Sequence, residues 1–198
     1  MFFTNTSMMA LSGGFRMITL IRLSLAFLLI LSATNLQAFT TEKKRSFRAG
    51  DGVSIDAIIT ALYASVSGEA GASRNWDRMR ALFVKDARLM PVIWRGDEQT
   101  ELRNVSVEEY ISFATTFFEA NSFHEKEIGR QVQRFGNMAQ VFSTYESYHS
   151  QLDPVPFTRG INSIQLFFDG SRWWIVSVLW DEEREDTPIP EEFLVMPG

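Results

Sequence analysis

The sequence contains no cysteine. This absence excludes disulfide bonds, thiolate metal sites, a cysteine nucleophile and a lipid-modified N-terminal cysteine. The motifs G-x-S-x-G and H-E-x-x-H and the P-loop are also missing, so nothing supports a serine hydrolase, a zinc protease or a nucleotide-binding enzyme. The acidic run 181–186 lacks the alternating ligands and turn glycine of a calcium loop, and we interpret it as a solvated segment. We therefore expect neither a metal site nor a cofactor.

An apolar run long enough to span a membrane is missing as well. The most apolar stretch is Leu23–Leu31, whereas a spanning helix needs about 20 such residues. Arg22 precedes this stretch and small residues ending at Ala38 follow it, which is typical of a cleavable signal peptide. Residues 1–38 are therefore predicted to be an N-terminal extension and signal peptide. The mature protein would be periplasmic or secreted, without a stable membrane anchor. A retained membrane helix is the alternative.

Positive charge is scarce in the rest of the chain. All 24 acidic residues lie after residue 38, together with 17 of the 19 basic ones. A domain with this excess of acids is not expected to bind nucleic acid, which requires basic patches. Residues 39–53 are polar and contain glycine, and they are predicted to form a flexible linker. Residues 54–198 are predicted to form one domain.

Two periodicities divide this domain. Helical spacing of apolar residues predicts helices after the cap residue Ser54, over about 75–83, and after the capping box Ser106–Glu109. Alternation of period two follows, with turns at Gly136–Asn137 and Asp169–Gly170. The predicted strands lie near 86–94, 124–134, 138–150, 159–168 and 172–180. Helices followed by an antiparallel meander predict an α+β domain.

Several segments resemble the nuclear transport factor 2-like superfamily, which includes SnoaL-like polyketide cyclases and ketosteroid isomerase. They are Ile58–Tyr63, Trp76–Phe83 with Asp86 and Ala87, Arg159–Leu166, Gly136–Val141, and Asp169–Gly170 with Trp173–Ile175. The resemblance covers about residues 54–194 and is greatest to exported bacterial members. It implies a cone-shaped domain, in which three N-terminal helices pack on a curved, mostly antiparallel sheet around a pocket. The superfamily hosts enzymes, binding modules and subunits, so the resemblance does not choose among them.

Turn geometry predicts which side chains face this pocket. A two-residue turn at Gly136–Asn137 makes Val132 the partner of Val141, and partners share a face. The predicted polar pocket set is His124, Arg130, Ser143, Tyr145, Asn162 and Ser177. His124 could be a general base or a surface residue. Arg130 could meet a carboxylate, reach solvent or bind an anionic ligand. Tyr145 could donate to a ligand oxygen or hydrogen-bond within the core.

The same pairing places Glu125, Glu127 and Glu146 on the outer face. Proton-transfer enzymes of the resembled kind keep an acid inside, so this placement favours a binding protein over an enzyme. A register shift of one residue would turn these acids inward and favour the enzyme.

Both faces of the last hairpin are apolar. The outward set is predicted to be Phe167, Trp174, Val176, Val178 and Trp180. A patch of this kind needs a cover, so we predict a homodimer through it. The alternative is that the C-terminal tail folds back over the patch.

Three functions remain open at this stage. The first is an exported domain that binds a small apolar ligand. The second is a cofactor-independent SnoaL-like lyase or isomerase that acts by proton transfer. The third is a dimeric interaction module acting through the outer sheet face. Whether the protein is an enzyme stays open.

Overall fold

This computed structural model describes residues 48–96 and 99–196. The predicted extension and signal peptide at 1–38, and the first part of the predicted linker, lie outside the described residues. The described residues form three α-helices, α1 (Ile55–Val66), α2 (Trp76–Leu82) and α3 (Val107–Ala120). The strands are β1 (Phe83–Trp94), β2 (Thr100–Leu102), β3 (Val105–Ser106), β4 (His124–Phe135), β5 (Met138–Tyr148), β6 (Thr158–Phe168) and β7 (Trp173–Glu182). A short 3₁₀ helix, Glu191–Phe193, follows in the C-terminal tail.

The seven strands form one sheet in the order β2-β1-β7-β6-β5-β4, with β3 paired to β1. All neighbouring strands run antiparallel except β1 and β7, which run parallel. The α+β class and the mostly antiparallel sheet predicted from the sequence are confirmed. β4 forms one edge of the sheet, and this edge becomes important for the site.

Side-chain caps explain where the helices begin. The Ser54 hydroxyl accepts a hydrogen bond from the backbone N–H of Ala57 at 3.0 Å, which satisfies one of the unpaired donors at the start of α1. The capping box at the start of α3 is present as predicted, with Ser106 and Glu109 bonded reciprocally. Asn75 caps α2 by accepting a hydrogen bond from the N–H of Arg78.

The helices pack on one face of the sheet, which we call the inner face. The core between them contains fully buried side chains from α1, α2, β5, β6 and β7. These include Ile58, Ile59, Met79, Leu82, Val141, Ile164 and Ile175. The helical spacing of the apolar residues in α1 therefore identified its buried side correctly.

The end of the predicted linker is fixed to the domain. Asp51 and Gly52 are both buried. The Asp51 carboxylate accepts two hydrogen bonds from the Arg78 guanidinium at 2.8 Å, and this partner holds the pKa of Asp51 below its ordinary value. Gly52 accepts a hydrogen bond from the backbone N–H of Trp173. The prediction of a flexible linker over 39–53 is therefore wrong for its last residues.

Within residues 48–96 and 99–196, no helix has both the length and the apolar character needed to cross a bilayer. In the same part of the chain, no three or more histidine or carboxylate side chains are grouped so that they could hold a metal ion.

Candidate functional site

The register between β4 and β5 changes part-way along β4. Near the turn it matches the prediction, with Phe135 opposite Met138 and Arg130 opposite Ser143. Beyond that point Ile128 is an extra residue with no partner in β5, which makes a β-bulge. Side chains before the bulge therefore face the opposite way from the prediction.

This bulge turns two carboxylates inward. Glu125 lies opposite Ser147 and Glu127 lies opposite Tyr145, so both acids point towards the helices. Their predicted outward placement is wrong. Glu146 keeps its predicted outward orientation, where its carboxylate lies 3.2 Å from a lysine ammonium of β4.

The same bulge removes His124 from the predicted pocket. Its ring lines a separate cleft beside β4 of about 530 Å³, which we call the β4 cleft. The Nε2 atom lies 3.1 Å from a Glu69 carboxylate oxygen, and the Gln151 amide lies 3.3 Å from Nδ1. His124 is nevertheless buried, because these two neighbours cover it.

A second bulge changes the register between β6 and β7. Gln165 lies opposite Ser177, but Leu166 lies opposite Ile175, so Val176 is the extra residue. All side chains of β7 after this point reverse their predicted orientation.

This reversal corrects three predicted placements. Ser177 lies on the outer face and is not a pocket residue. Val178 and Trp180 lie on the inner face, opposite Ile164 and Asn162, so they do not belong to an outer interface. Of the predicted interface residues, only Phe167, Trp174 and Val176 remain outside.

The helices and the inner face enclose a cavity of about 380 Å³. Aromatic side chains from α3, from the segment between α3 and β4, and from the stretch between the start of β5 and the end of β7 line much of this cavity. We call it the aromatic cavity. These side chains are Tyr110, Phe113, Phe117, Phe118, Phe123, Tyr145, Phe157 and Trp180. Several meet edge to face, as do Tyr110 and Trp180 with centroids 6.4 Å apart. The predicted residues Tyr145 and Asn162 both line it.

Glu125 is the acid that faces the aromatic cavity. Its only side-chain hydrogen bond among the described residues comes from the Ser147 hydroxyl, at 3.4 Å. Burial raises the pKa of Glu125 to about 8, and the bond from Ser147 offsets only part of that rise. Among the residues that the structure describes, no arginine, lysine or histidine lines this cavity. A carboxyl group in this position is protonated for much of the time at neutral pH.

Two tyrosine hydroxyls face the same space. Burial raises the pKa of Tyr110 and of Tyr145 above the ordinary tyrosine value, and the nearby Glu125 carboxyl adds to both shifts. Both hydroxyls are therefore protonated hydrogen-bond donors. Neither has a hydrogen-bond partner among the residues described. Gly160, opposite Tyr145, makes room for this ring, because a Cβ there would lie 2.5 Å from the Tyr145 hydroxyl oxygen.

The other predicted polar residues form a buried chain of hydrogen bonds. The Asn162 amide donates to the Tyr63 hydroxyl at 3.1 Å, and the Ser143 hydroxyl donates to the Glu127 carboxylate at 2.5 Å. The Tyr63 and Ser143 oxygens are 2.7 Å apart. Because the one proton of Ser143 is directed to Glu127, Tyr63 is the donor in that bond.

Arg130 terminates this chain. Its guanidinium donates to the Glu127 carboxylate at 2.8 and 2.5 Å and also contacts Asp56. Among the alternatives for Arg130, the structure therefore shows the one in which it meets a carboxylate. This network fixes Tyr63, Ser143 and Asn162 beside the aromatic cavity and leaves Glu125 outside it.

No protein-family model matches the chain, and no curated protein does either. Solved structures do resemble it. A Nostoc punctiforme protein of unknown function with a cystatin-like fold aligns with a TM-score of 0.52 and 13% identity, covering 70% of this chain and 96% of that one. A beta subunit assigned to an aromatic-ring-hydroxylating dioxygenase from Novosphingobium aromaticivorans aligns with a TM-score of 0.51 and 12% identity, covering 68% and 94%.

The chain shares its fold with these proteins. A Silicibacter pomeroyi NTF-2-like protein of unknown function also aligns, with a TM-score of 0.46 and 15% identity over 65% of this chain and 92% of that one. At these identities the likeness concerns the fold alone. The expected membership of the nuclear transport factor 2-like superfamily stays a prediction, and the chemistry has to be argued from the cavity.

Proposed function

We propose that this domain binds a small, ring-containing, largely apolar molecule in the aromatic cavity. The observation that carries the proposal is the Glu125 carboxyl, held among aromatic rings with no basic partner in the cavity wall. The volume of about 380 Å³ lies in the range of small-molecule sites, which are mostly apolar with a few convergent polar groups. Here Glu125, Tyr110 and Tyr145 are those groups.

Native mass spectrometry of the purified protein tests this proposal. We expect a co-purified molecule that is retained by the wild type and lost from a Trp180→Ala variant, which removes one wall of the cavity. A Phe135→Ala variant is the control, because that side chain is exposed at the β4–β5 turn. Equal retention by both variants would contradict binding in this cavity.

A cofactor-independent lyase or isomerase is the second candidate, favoured by the inward position of Glu125. A general acid or base acts best when its pKa is near the working pH, and that of Glu125 is raised to about 8. Tyr145 or Tyr110 could donate a hydrogen bond to the oxygen of an enolate. In this role Glu125 would take a proton from carbon and return it at another position.

Deuterium exchange at the α carbons of 2-tetralone, followed by NMR, tests proton transfer with a simple ring ketone. We expect the wild type to accelerate exchange and Glu125→Gln to lose that acceleration by about 100-fold or more. Glu146→Gln, which changes an acid on the outer face, should exchange like the wild type. Exchange unchanged in Glu125→Gln would remove this candidate and leave the binding proposal intact.

We also propose that the protein is exported, on the sequence pattern of residues 1–38. N-terminal sequencing of protein from a secretion-competent host should give a chain that begins after Ala38. A product that still begins at Met1 or Met17 would contradict export.

A further inference from the structure

The aromatic cavity has charges of one sign only. Glu125 enters it from β4, and Glu182 lies at the end of β7, opposite Gly160 and on the inner face with Tyr145. Within residues 48–96 and 99–196, no basic side chain lines the cavity to balance these acids. Arg130, the nearest buried cation along β4, is bonded to Glu127 and Asp56 instead. An anionic ligand would therefore meet repulsion and no compensating partner.

The rings around Glu125 supply the second observation. Six of the eight aromatic side chains in the wall come from α3, β5, β7 and the segments just before β4 and β6. They are Tyr110, Phe117, Phe123, Tyr145, Phe157 and Trp180. The faces of such rings carry partial negative charge, and a group of them attracts alkylated ammonium ions. The rings and the two acids thus favour the same ligand charge.

A half-buried carboxyl without a cation in its cavity is also half of an ion pair. Buried carboxylates are normally paired, because an unpaired charge in an apolar site is strongly disfavoured. Every other inward carboxylate of β4 follows this rule, since Glu127 has Arg130 as its partner. Glu125 is the exception on β4 among the described residues, and it faces the ligand space together with Glu182.

We propose that the ligand of the aromatic cavity is an organic cation: an amine or quaternary ammonium compound whose nitrogen lies against Glu125 and among the aromatic rings. This inference rests on the proposed binding function and specifies its ligand class. The apolar remainder of the ligand occupies the space between α3 and β7.

Because Glu125 titrates, the proposal predicts that the affinity for the ligand depends on pH. In the empty site its pKa is raised to about 8, so a cation that needs the carboxylate must displace a proton at pH 7. Affinity for a permanent cation therefore increases as pH rises from 6 to 8 and levels off above 8. A neutral ligand that accepts a hydrogen bond from the protonated acid shows the opposite trend.

Other ionisable groups lie around Glu125, and their charges also affect how ligand affinity depends on pH. They are Tyr63 on α1, Tyr110 on α3, Tyr145 on β5, Glu182 on β7, and His124, Lys126 and Glu127 on β4, with Asp153 across the β4 cleft. The three tyrosines have pKa values raised by burial and stay neutral between pH 6 and 9. His124 and Lys126 line the β4 cleft, which Glu125 also lines, but neither of them is among the described residues of the aromatic cavity wall.

Calorimetric titration with three matched probes tests the inference. Benzyltrimethylammonium is the cation, neopentylbenzene is its neutral isostere, and phenylacetate is an anion. At pH 8.5 we expect the cation to bind about tenfold or more tightly than the isostere, and the anion not to bind. At pH 7 the cation should release close to one proton, measured in buffers of different ionisation enthalpy.

Variants and the wild-type pH profile make the outcomes distinguishable. Glu125→Gln should lose the preference for the cation, whereas Glu146→Gln on the outer face should keep it. Tighter or equal binding of neopentylbenzene, without proton release, would overturn the cation and leave the binding function standing. Failure of all three probes to bind at millimolar concentration would overturn both. The proton release is measured on the wild type, so a misfolded variant does not remove the test.

Discussion

At the scale of single residues, the position of Glu125 makes its ionisation destabilise the folded protein. A glutamate in an unfolded chain has a pKa of about 4.3, whereas burial raises that of Glu125 to about 8. Between these values the folded protein holds a proton that the unfolded chain has lost, so the stability of the fold decreases as pH rises. The hydrogen bond from Ser147 offsets only part of this cost, which supports a role for Glu125 in binding rather than in stability.

We therefore predict that Glu125→Gln stabilises the protein at alkaline pH. The free energy of unfolding should match that of the wild type near pH 4.5 and exceed it by about 2–4 kcal/mol at pH 8, because each unit of pKa shift corresponds to about 1.4 kcal/mol. Urea denaturation at several pH values measures the difference.

Glu146→Gln is the control for this prediction. Although burial alone would raise it, the Tyr148 hydroxyl and the Lys126 ammonium hold the pKa of Glu146 below its ordinary value. Its contribution to stability is present at neutral pH and is lost in acid, so the glutamine variant should be less stable than the wild type at pH 8. Identical pH profiles for the two variants would mean that the pKa of Glu125 is not raised in the folded protein.

At the scale of elements, the bulge in β4 accompanies a contact with the C-terminal tail. Gly129 follows the extra residue, and the tail passes directly over it. The backbone N–H of Arg130 donates to the carbonyl of Val195, and the Thr144 hydroxyl donates to that of Phe193. The tail thus covers the outer face at β4 and β5 and occupies part of the edge of β4.

We predict that Gly129→Ala destabilises the protein by about 1–3 kcal/mol, because a Cβ there would lie 2.0 Å from the Phe193 carbonyl oxygen. Urea denaturation of the full domain measures the loss. In a chain that ends at Thr187, which lacks the tail, the same substitution should change stability by less than about 0.5 kcal/mol. An equal loss in both chains would contradict the role assigned to the tail contact.

The two bulges also show which side-chain orientations in this site could be predicted from the sequence and which could not. Helix caps and the Gly136–Asn137 turn depend on neighbouring residues, and these predictions are confirmed. The pairing derived from the turn is right as far as Gly129 and wrong beyond it. The extra residue Ile128 shifts the register without interrupting the alternating pattern of the sequence. Gly129 within the strand pattern is a signal for the first bulge. At Val176 both faces are apolar, so the pattern contains no comparable signal.

At the scale of the whole molecule, the outer face of the last hairpin still exposes apolar side chains. Phe167 is 43% exposed and Val176 39%, and Trp174 lies beside them with its indole N–H donating to Asp169. The C-terminal tail does not cover this face, because its residue Phe193 packs against Phe142 of β5 instead. The third candidate function, a dimeric interaction module, depends on this face.

We propose that a second copy of the chain covers Phe167, Trp174 and Val176, and predict a homodimer at tens of micromolar. Light scattering of the domain after residue 38 should give twice the monomer mass, since apolar side chains of this kind are enriched at the centre of interfaces. Val176→Glu should give a monomer, because burying an unpaired carboxylate at an interface costs several kcal/mol. Leu152→Glu is the matched control, as Leu152 is 92% exposed in the loop between β5 and β6, at the opposite end of β6 from Phe167, and it should remain dimeric. A monomeric wild type at that concentration, or a Val176→Glu variant that stays dimeric, would exclude this interface and with it the third function.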